Sequence, residues 1–315
     1  VSNGLVVALS GGIGGAKLAL GLSRVLPAEE LLIIANTGDD FEHLGLSISP
    51  DLDTLTYTLA GLDNTMLGWG RRDETWSFME TLSQLGGEDW FRLGDRDLAV
   101  HVERTRRLRT GQKLSAITAE FCKRLGVAPR LLPMSDDPVR TRVRTDHGWI
   151  DFQEYFVHQQ CRPVVRELAF EGAATARAHP DFLAALADER LRAVVICPSN
   201  PFISVDPILA VPGVRAELQR CRAPIVAVSP IIGGKAVKGP TAKIMGEFGL
   251  DPSAAEAARH YGDLIDGFVI DHADAALGGA LSVRAAVAQT LMTTLADREA
   301  LARAVLDFAG VLART

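Results

Sequence analysis

A short apolar run, residues 5–9 (LVVAL), stops abruptly at Ser10-Gly11-Gly12-Ile13-Gly14-Gly15-Ala16-Lys17, and this junction limits the possible folds more than any other feature. The run is long enough for a buried strand and too short for a helix. From residue 16 to 26 apolar side chains recur at helical spacing, up to Pro27, and residues 31–35 (LLIIA) form a second strand-like run closed by Asn36-Thr37-Gly38-Asp39-Asp40. Strand, glycine loop, helix, strand is the opening of a βαβ unit, which implies a parallel sheet with helical cover.

The same grammar returns late in the chain. Residues 192–197 (RAVVIC) lead into Pro198-Ser199-Asn200-Pro201, residues 224–228 (PIVAV) into Ser229-Pro230-Ile231-Ile232-Gly233-Gly234, and residues 267–270 (GFVI) into Asp271-His272-Ala273-Asp274. In an open parallel sheet, ligands bind beyond the carboxyl ends of the strands, so these loops should converge on one crevice. Residues 54–128 have helical periodicity and hold Trp69, Trp76 and Trp90; residues 141–152 alternate as a hairpin around Asp146-His147-Gly148; residues 297–312 form an amphipathic helix. The expected fold is α/β, a Rossmann-like parallel sheet with helices on both faces and an inserted helical subdomain. A nucleotide-binding core would cover residues 1–53 and 129–315, and the insertion, residues 54–128, would lie over the active site.

At 315 residues the chain suits one or two domains. Its 33 basic and 39 acidic residues give a net charge of −6, which argues against a general nucleic-acid binder and leaves room for a local basic pocket. No apolar run is long enough to span a membrane, and the chain opens on a strand-like segment without a signal peptide pattern, so a cytoplasmic protein is expected. Cys122, Cys161, Cys197 and Cys221 are scattered, with no C-x-x-C pair, and read as reduced thiols.

Four glycines between a strand and a helix let backbone amides approach an anion, and the helix terminus adds a favourable dipole; a purely structural turn is the competing role. The loop is neither a Walker A motif nor a clean dinucleotide fingerprint, because Lys17 stands at the third glycine position. Asp39 and Asp40, with Asp51 and Asp53 close behind, have the density of carboxylates that a hard cation such as magnesium requires. Helix capping by Asp51 and a turn role for Asp39 fit the spacing equally well. Arg104, Arg106, Arg107, Arg109 and Lys113 read as a solvated helix face, and Asp136-Asp137 as a base, metal or turn element. No G-x-S-x-G elbow, HExxH or Cys–His neighbour supports covalent acyl or zinc chemistry.

Taken in order, SGGIGGAKL (10–18), ANTGDD (35–40), SPDLDTLTYTLAG (49–61), WGRRDETW (69–76), FRLGDRDLAVH (91–101), LLPMSDDPVRT (131–141), CPSNPFISVDPIL (197–209) and AVSPIIGGKAVKGPTAKIM (227–245) resemble the 2-phospho-L-lactate transferases of coenzyme F420 biosynthesis. The resemblance implies a magnesium-dependent transfer of a 2-phospholactyl, phosphoenolpyruvyl or 3-phosphoglyceryl group. The donor would be guanosine-diphospho-linked and the acceptor the deazaflavin Fo; the products would be F420-0 or its dehydro form, and GMP. It implies Asp39, Asp53 and, in reserve, Asp40 at the metal; Asp53 as base or orienting group; and Asp53 with Arg92 at Fo. Gly11, Gly12, Gly14, Gly15, Lys17, Asn36, Ser199, Asn200, Gly233, Gly234 and Lys235, with Lys238 nearby, would form the guanosine-diphosphate pocket, and the family points to a homodimer. Two alternatives share parts of this pattern. A non-enzymatic nucleotide-sugar-binding regulator of the same superfamily would have less use for Arg92 and the tryptophan-rich insert. A nicotinamide dehydrogenase is disfavoured by Lys17 and by Asn36 where an acidic ribose ligand belongs.

Overall fold

The structure, a computed structural model, describes residues 4–313. Seven strands build one sheet: β1 (Leu5–Ser10), β2 (Leu31–Ala35), β3 (Arg130–Pro133), β4 (Leu191–Ile196), β5 (Ile225–Val228), β6 (Gly267–Asp271) and β7 (Arg284–Ala288). Their order is β3-β2-β1-β4-β5-β6-β7, and every pairing is parallel. The chain therefore winds one way from β1 to β3 and the other way from β4 to β7, which puts a topological switch point between β1 and β4.

Side chains alternate across the sheet, and both faces are buried. Val7, Leu9, Leu32, Ile34, Val194 and Ile196 join one core, with α6 (Pro180–Leu186), α7 (Val214–Arg220) and α8 (Ala254–Tyr261). Val6, Ala8, Leu31, Ile33, Ala193 and Val195 join the other, with α1 (Gly12–Val25), α2 (Pro50–Leu59), α5 (Leu114–Arg124) and the last helix, α9 (Leu295–Leu312). Strands buried on both faces read as unbroken apolar runs, which is why β1, β2, β4, β5 and β6 were visible in the sequence. The edge strands β3 and β7 were not: β3 runs from an exposed Arg130 to Pro133, and β7 is only half-buried. Proline is tolerated at a sheet edge, where it breaks no central ladder.

Between Pro50 and Arg124 the chain is helical, with α2, α3 (Ser77–Gln84), α4 (Asp95–Arg109) and α5. Residue 54 lies inside α2, whose Leu52, Leu55 and Leu59 belong to the core under the sheet. The predicted hairpin pairs Arg140–Thr145 with Gly148–Asp151, and Glu167–Glu171 adds a third antiparallel strand. All four cysteines are free.

One expectation is corrected at the first junction. Helix α1 begins at Gly12 rather than Ala16, so Gly14 and Gly15 are helical residues and the true loop is Gly11 alone. Gly12 needs its glycine for a left-handed backbone, φ +64°. Gly14 and Gly15 serve close approach: a Cβ on Gly14 would run into the Pro198 carbonyl oxygen, and one on Gly15 would lie 2.5 Å from Ser10 Oγ and 2.7 Å from Ser199 Oγ. Helix α1 thus lies directly against the loop after β4. Gly14→Ala is expected to lower stability by about 1–3 kcal/mol through overpacking. Gly246→Ala, at an exposed helical position with nothing near its Cβ, should be neutral or stabilising by about 0.4–1 kcal/mol. Denaturant unfolding of the two variants checks the contrast.

Candidate active site at the switch point

The ends of β1 and β4 are laced together. Ser199 Oγ donates to the Gly11 carbonyl at 2.8 Å and accepts from the Gly11 amide at 3.1 Å. Asp51, at the start of α2, accepts from the Gly12 amide at 2.5 Å with one oxygen and from Asn36 Nδ2 at 2.9 Å with the other. Asn36 in turn accepts from the Gly38 amide at 2.8 Å. Asp51 therefore caps a helix, but the helix is α1 and not its own. Burial pushes its carboxyl up to about 6, against the lowering effect of the Asn36 and Gly12 hydrogen bonds. Two of the glycine-loop amides are thus taken by protein side chains, and Ser199 and Asn36 act first as scaffold.

Asp39, Asp40 and Asp53 are buried beside Asp51. Asp40 accepts from Ser49 Oγ at 2.8 Å; its Oδ1, like Asp39 Oδ1, has no partner among the described residues. Burial holds the Asp39 carboxyl well above its ordinary range, and the neighbouring charges of Asp51 and Asp40 add to it. Burial likewise lifts Asp40 to about 7, although Arg140, Ser49 and Arg104 oppose the shift. Crowded carboxylates with unpartnered oxygens suit a hard divalent cation, so Asp39 and Asp40 fit magnesium. No three His, Cys, Asp or Glu side chains among the described residues come together as a closed metal site. Magnesium commonly uses one or two carboxylates and takes its remaining oxygens from water and phosphate.

Asp53 is committed elsewhere. Arg104 grips both its oxygens, one at 3.0 Å, and Arg104 is itself buried. His101 stands 3.7 Å from Asp53 and 3.2 Å from Asp97, and Tyr57 donates to Asp97 at 2.6 Å. Burial works against the charge on Asp97, but His101, Tyr57 and Arg104 together hold its carboxyl below the usual range. The basic stretch is therefore not one solvated face. Arg106 and Arg107 pair with Glu103 toward the outside, while Arg104 points inward. Asp97, His101 and Arg104 recur at i, i+4 and i+7 on α4, a spacing that marks one helix face and was the signal available for finding them.

A cleft lies over this polar layer. One lobe is lined by Ile13, Lys17, Thr54, Thr58, Lys238 and Arg298, the other by Trp76, Arg71, Glu74 and Asp97, with Trp69 and Gly70 shared by both. Arg92 stacks on Trp76 at 4.5 Å, and Trp69 meets Trp76 edge-on at 6.3 Å. Trp90 is not part of this wall: it packs with Phe41, His43, Phe91 and His158. Burial lowers the Lys17 ammonium, helped by the charges of Arg298 and Lys238. Gly233 and Gly234 form the tight turn of a small hairpin, tied to Asp274 by the Gly233 amide at 3.0 Å. That turn leaves Lys235 exposed, and Lys238 is the lysine that reaches the cleft. Asn200 accepts from the Phe202 amide at 3.0 Å, and its buried Nδ2 has no partner among the described residues. Asp136 and Asp137 are structural: the first accepts from Ser115, the second from Arg177.

The fold and this cleft define a Rossmann-like α/β protein with an acidic, partly aromatic site at its switch point. The profile of the family described as 2-phospho-L-lactate transferase CofD matches residues 6–306, and the chain belongs to that family. It is thus a transferase acting on a phospho-acid group. Among its relatives are proteins named phosphoenolpyruvate transferase. That of Streptomyces griseus is 41% identical over 313 residues, covering 96% of this chain and 98% of its own. That of Kitasatospora aureofaciens is 42% identical over 304 residues, covering 94% of each. A solved structure of a UPF0052 family protein from Bacillus halodurans superposes with a TM-score of 0.62 over 96% of this chain and 98% of its own, at 16% identity, which speaks for the fold alone. No helix among the described residues is long and apolar enough to cross a membrane.

The acidic cluster has a pH signature. Asp40 titrates at about 7 in the folded chain against an ordinary 3.8, so between those values the folded state holds a proton that the unfolded state has released. Its contribution to stability is full below the lower value and is lost as pH rises through the upper one. Asp40→Asn removes that loss. The variant's advantage over the parent should grow between about pH 4 and pH 7 and level off above, at up to about 4 kcal/mol. Urea unfolding across that range without added metal tests this, and a constant difference refutes it.

Proposed function

We propose that the protein transfers a phospho-three-carbon-acid group from a guanosine-diphospho-linked donor to the deazaflavin alcohol Fo. The observation that carries this reading is the pair of carboxylate oxygens on Asp39 and Asp40 without a partner among the described residues, in a chain that also forms a cationic lobe at Lys17, Lys238 and Arg298 and an aromatic one at Trp69 and Trp76. A phosphoryl-type transfer needs charge neutralisation and alignment more than covalent chemistry from the protein. The names of the relatives favour the phosphoenolpyruvyl donor among the three acids.

In this scheme a ribityl hydroxyl oxygen of Fo bonds to the phosphorus nearer the acid. The bond from that phosphorus to the bridging oxygen breaks, GMP leaves with the electron pair, and the hydroxyl proton is released. The products are a phosphodiester, F420-0 or its dehydro form, and GMP. Magnesium held by Asp39 and Asp40 would supply positive charge to the diphosphate. Asp53, fixed by Arg104, accepts a hydrogen bond from the attacking hydroxyl and orients it. Trp69 and Trp76, set edge to face, and the Arg92 stacked on Trp76 would offer aromatic and cationic contacts to the tricyclic ring. Lys17 and Lys238 balance the anionic donor, and Asn200 Nδ2 offers it a neutral donor. The reading also carries a cytoplasmic homodimer, which light scattering of the purified chain would check.

Two experiments test the scheme. Titration with Fo, followed by its fluorescence, should show saturable binding that tightens with GDP and magnesium. Arg92→Ala should weaken Fo by up to about tenfold, the loss of a cation–π platform, and leave GDP unchanged. An absence of Fo binding, with a nucleotide sugar bound instead, would move the chain to the regulator reading for its ligands. The second experiment concerns Asp53→Asn, which strands the buried Arg104 charge and should cost about 3–5 kcal/mol. Combining it with Arg104→Met should recover most of that stability and none of the turnover. Recovered turnover would show that Asp53 serves the fold only.

A further inference from the structure

The cationic lobe holds a feature that the proposed transfer has not used. Arg298 lies in the first turns of α9, only 9% exposed, and its Nε has no hydrogen-bond partner among the described residues. A buried guanidinium normally pairs with an acid, and an unpaired one facing a cleft is a receptor for an anion. Its position is built. Gly21 of α1 packs so closely that a Cβ there would collide with the Arg298 carbonyl. The turn before α9 is pinned by Thr294 and Asp297 in reciprocal hydrogen bonds of 3.1 and 2.7 Å. Lys17 Nζ donates to the Met292 carbonyl at 2.8 Å, binding the same turn to α1.

Lys238 enters from the opposite side, against Gly68, and Thr54, Thr58, Asn64 and Asp63 complete the lining. Three cations against one carboxylate leave an excess of positive charge in a cavity of about 50 Å³. Lys17 lies one turn beyond Ile13 on α1 and both line this lobe, whereas Gly11 and Gly12 at the helix N-terminus have their amides taken by Ser199 and Asp51.

We infer that Lys17, Lys238 and Arg298 form a subsite for the carboxylate of the three-carbon acid, so that these residues select an acidic donor. The inference rests on the proposed transfer for the identity of the acid. Guanidinium and carboxylate match as a planar fork, while the two ammonium groups neutralise the remaining charge. Thr54 and Thr58, on the same helix as Asp53, line this subsite.

The test titrates phosphoenolpyruvate, inorganic phosphate and GDP into the full chain, using intrinsic tryptophan fluorescence. Arg298→Met and Lys238→Ala should each weaken phosphoenolpyruvate by about tenfold or more, the worth of a charge-assisted hydrogen bond. Inorganic phosphate and GDP should stay within about twofold of the parent, since neither carries a carboxylate. Lys238 is exposed, so its variant keeps the test valid if Arg298→Met unfolds. Equal weakening of GDP and phosphoenolpyruvate would assign the subsite to phosphate and overturn the inference. Unchanged phosphoenolpyruvate binding, or no saturable binding to the parent, overturns it as well. Arg298-dependent phosphoenolpyruvate binding in a protein that ignores Fo would sink the proposed acceptor and leave the subsite standing.

Discussion

One carboxylate holds the working end of the sheet in place. Asp51 reaches from α2 to the first amide of α1 and to Asn36 beyond β2, so three consecutive parts of the fold meet on its two oxygens. The contact does double duty. It satisfies a helix N-terminal amide with an anion, the arrangement the helix dipole favours. It also brings a further negative charge close to Asp39, raising the cost of ionising it. Scaffold and acidity share one residue. The strain of crowded charge is retained where a cation and an anionic substrate would relieve it.

The second polar layer behaves differently. Asp53 and Arg104 are both buried and grip each other at two points, with His101, Asp97 and Tyr57 closing the network. A buried pair of this kind adds little net stability but is costly to break, so it fixes α4 against α2 and holds the aromatic segment that lies between them in sequence. Trp69 and Trp76 line one lobe of the cleft together with Asp97, and Arg92 stacks on Trp76.

Much of this was legible in the chain. The strands buried on both faces announced themselves as apolar runs, and the small and polar residues after β1, β2 and β4 marked the ligand end of the sheet. The acids Asp39, Asp40, Asp51 and Asp53 stood out by density alone. Arg104 did not, because a run of arginines looks solvated unless the i, i+4, i+7 series with Asp97 and His101 is read across it. Arg298 carried no local signal: it sits in an ordinary amphipathic helix, distant in sequence from the cleft residues of α1 and α2. The glycines were noticed for their flexibility, yet Gly14, Gly15 and Gly21 matter because neighbours press where a side chain would be.

A Rossmann-like parallel α/β fold, the loop end of its sheet and the density of acids there were already legible in the amino-acid order. Strand runs, glycine turns and carboxylate spacing are local patterns, and each is set by the pleat, the backbone or the charge of nearby residues. Only the tertiary structure decided which charges are paired and which are left over. Asp53 is held by Arg104, while Asp39, Asp40 and Arg298 keep atoms without partners among the described residues. Pairing depends on helices distant in sequence meeting over the sheet, and burial then converts an unpaired group into a demand for a ligand.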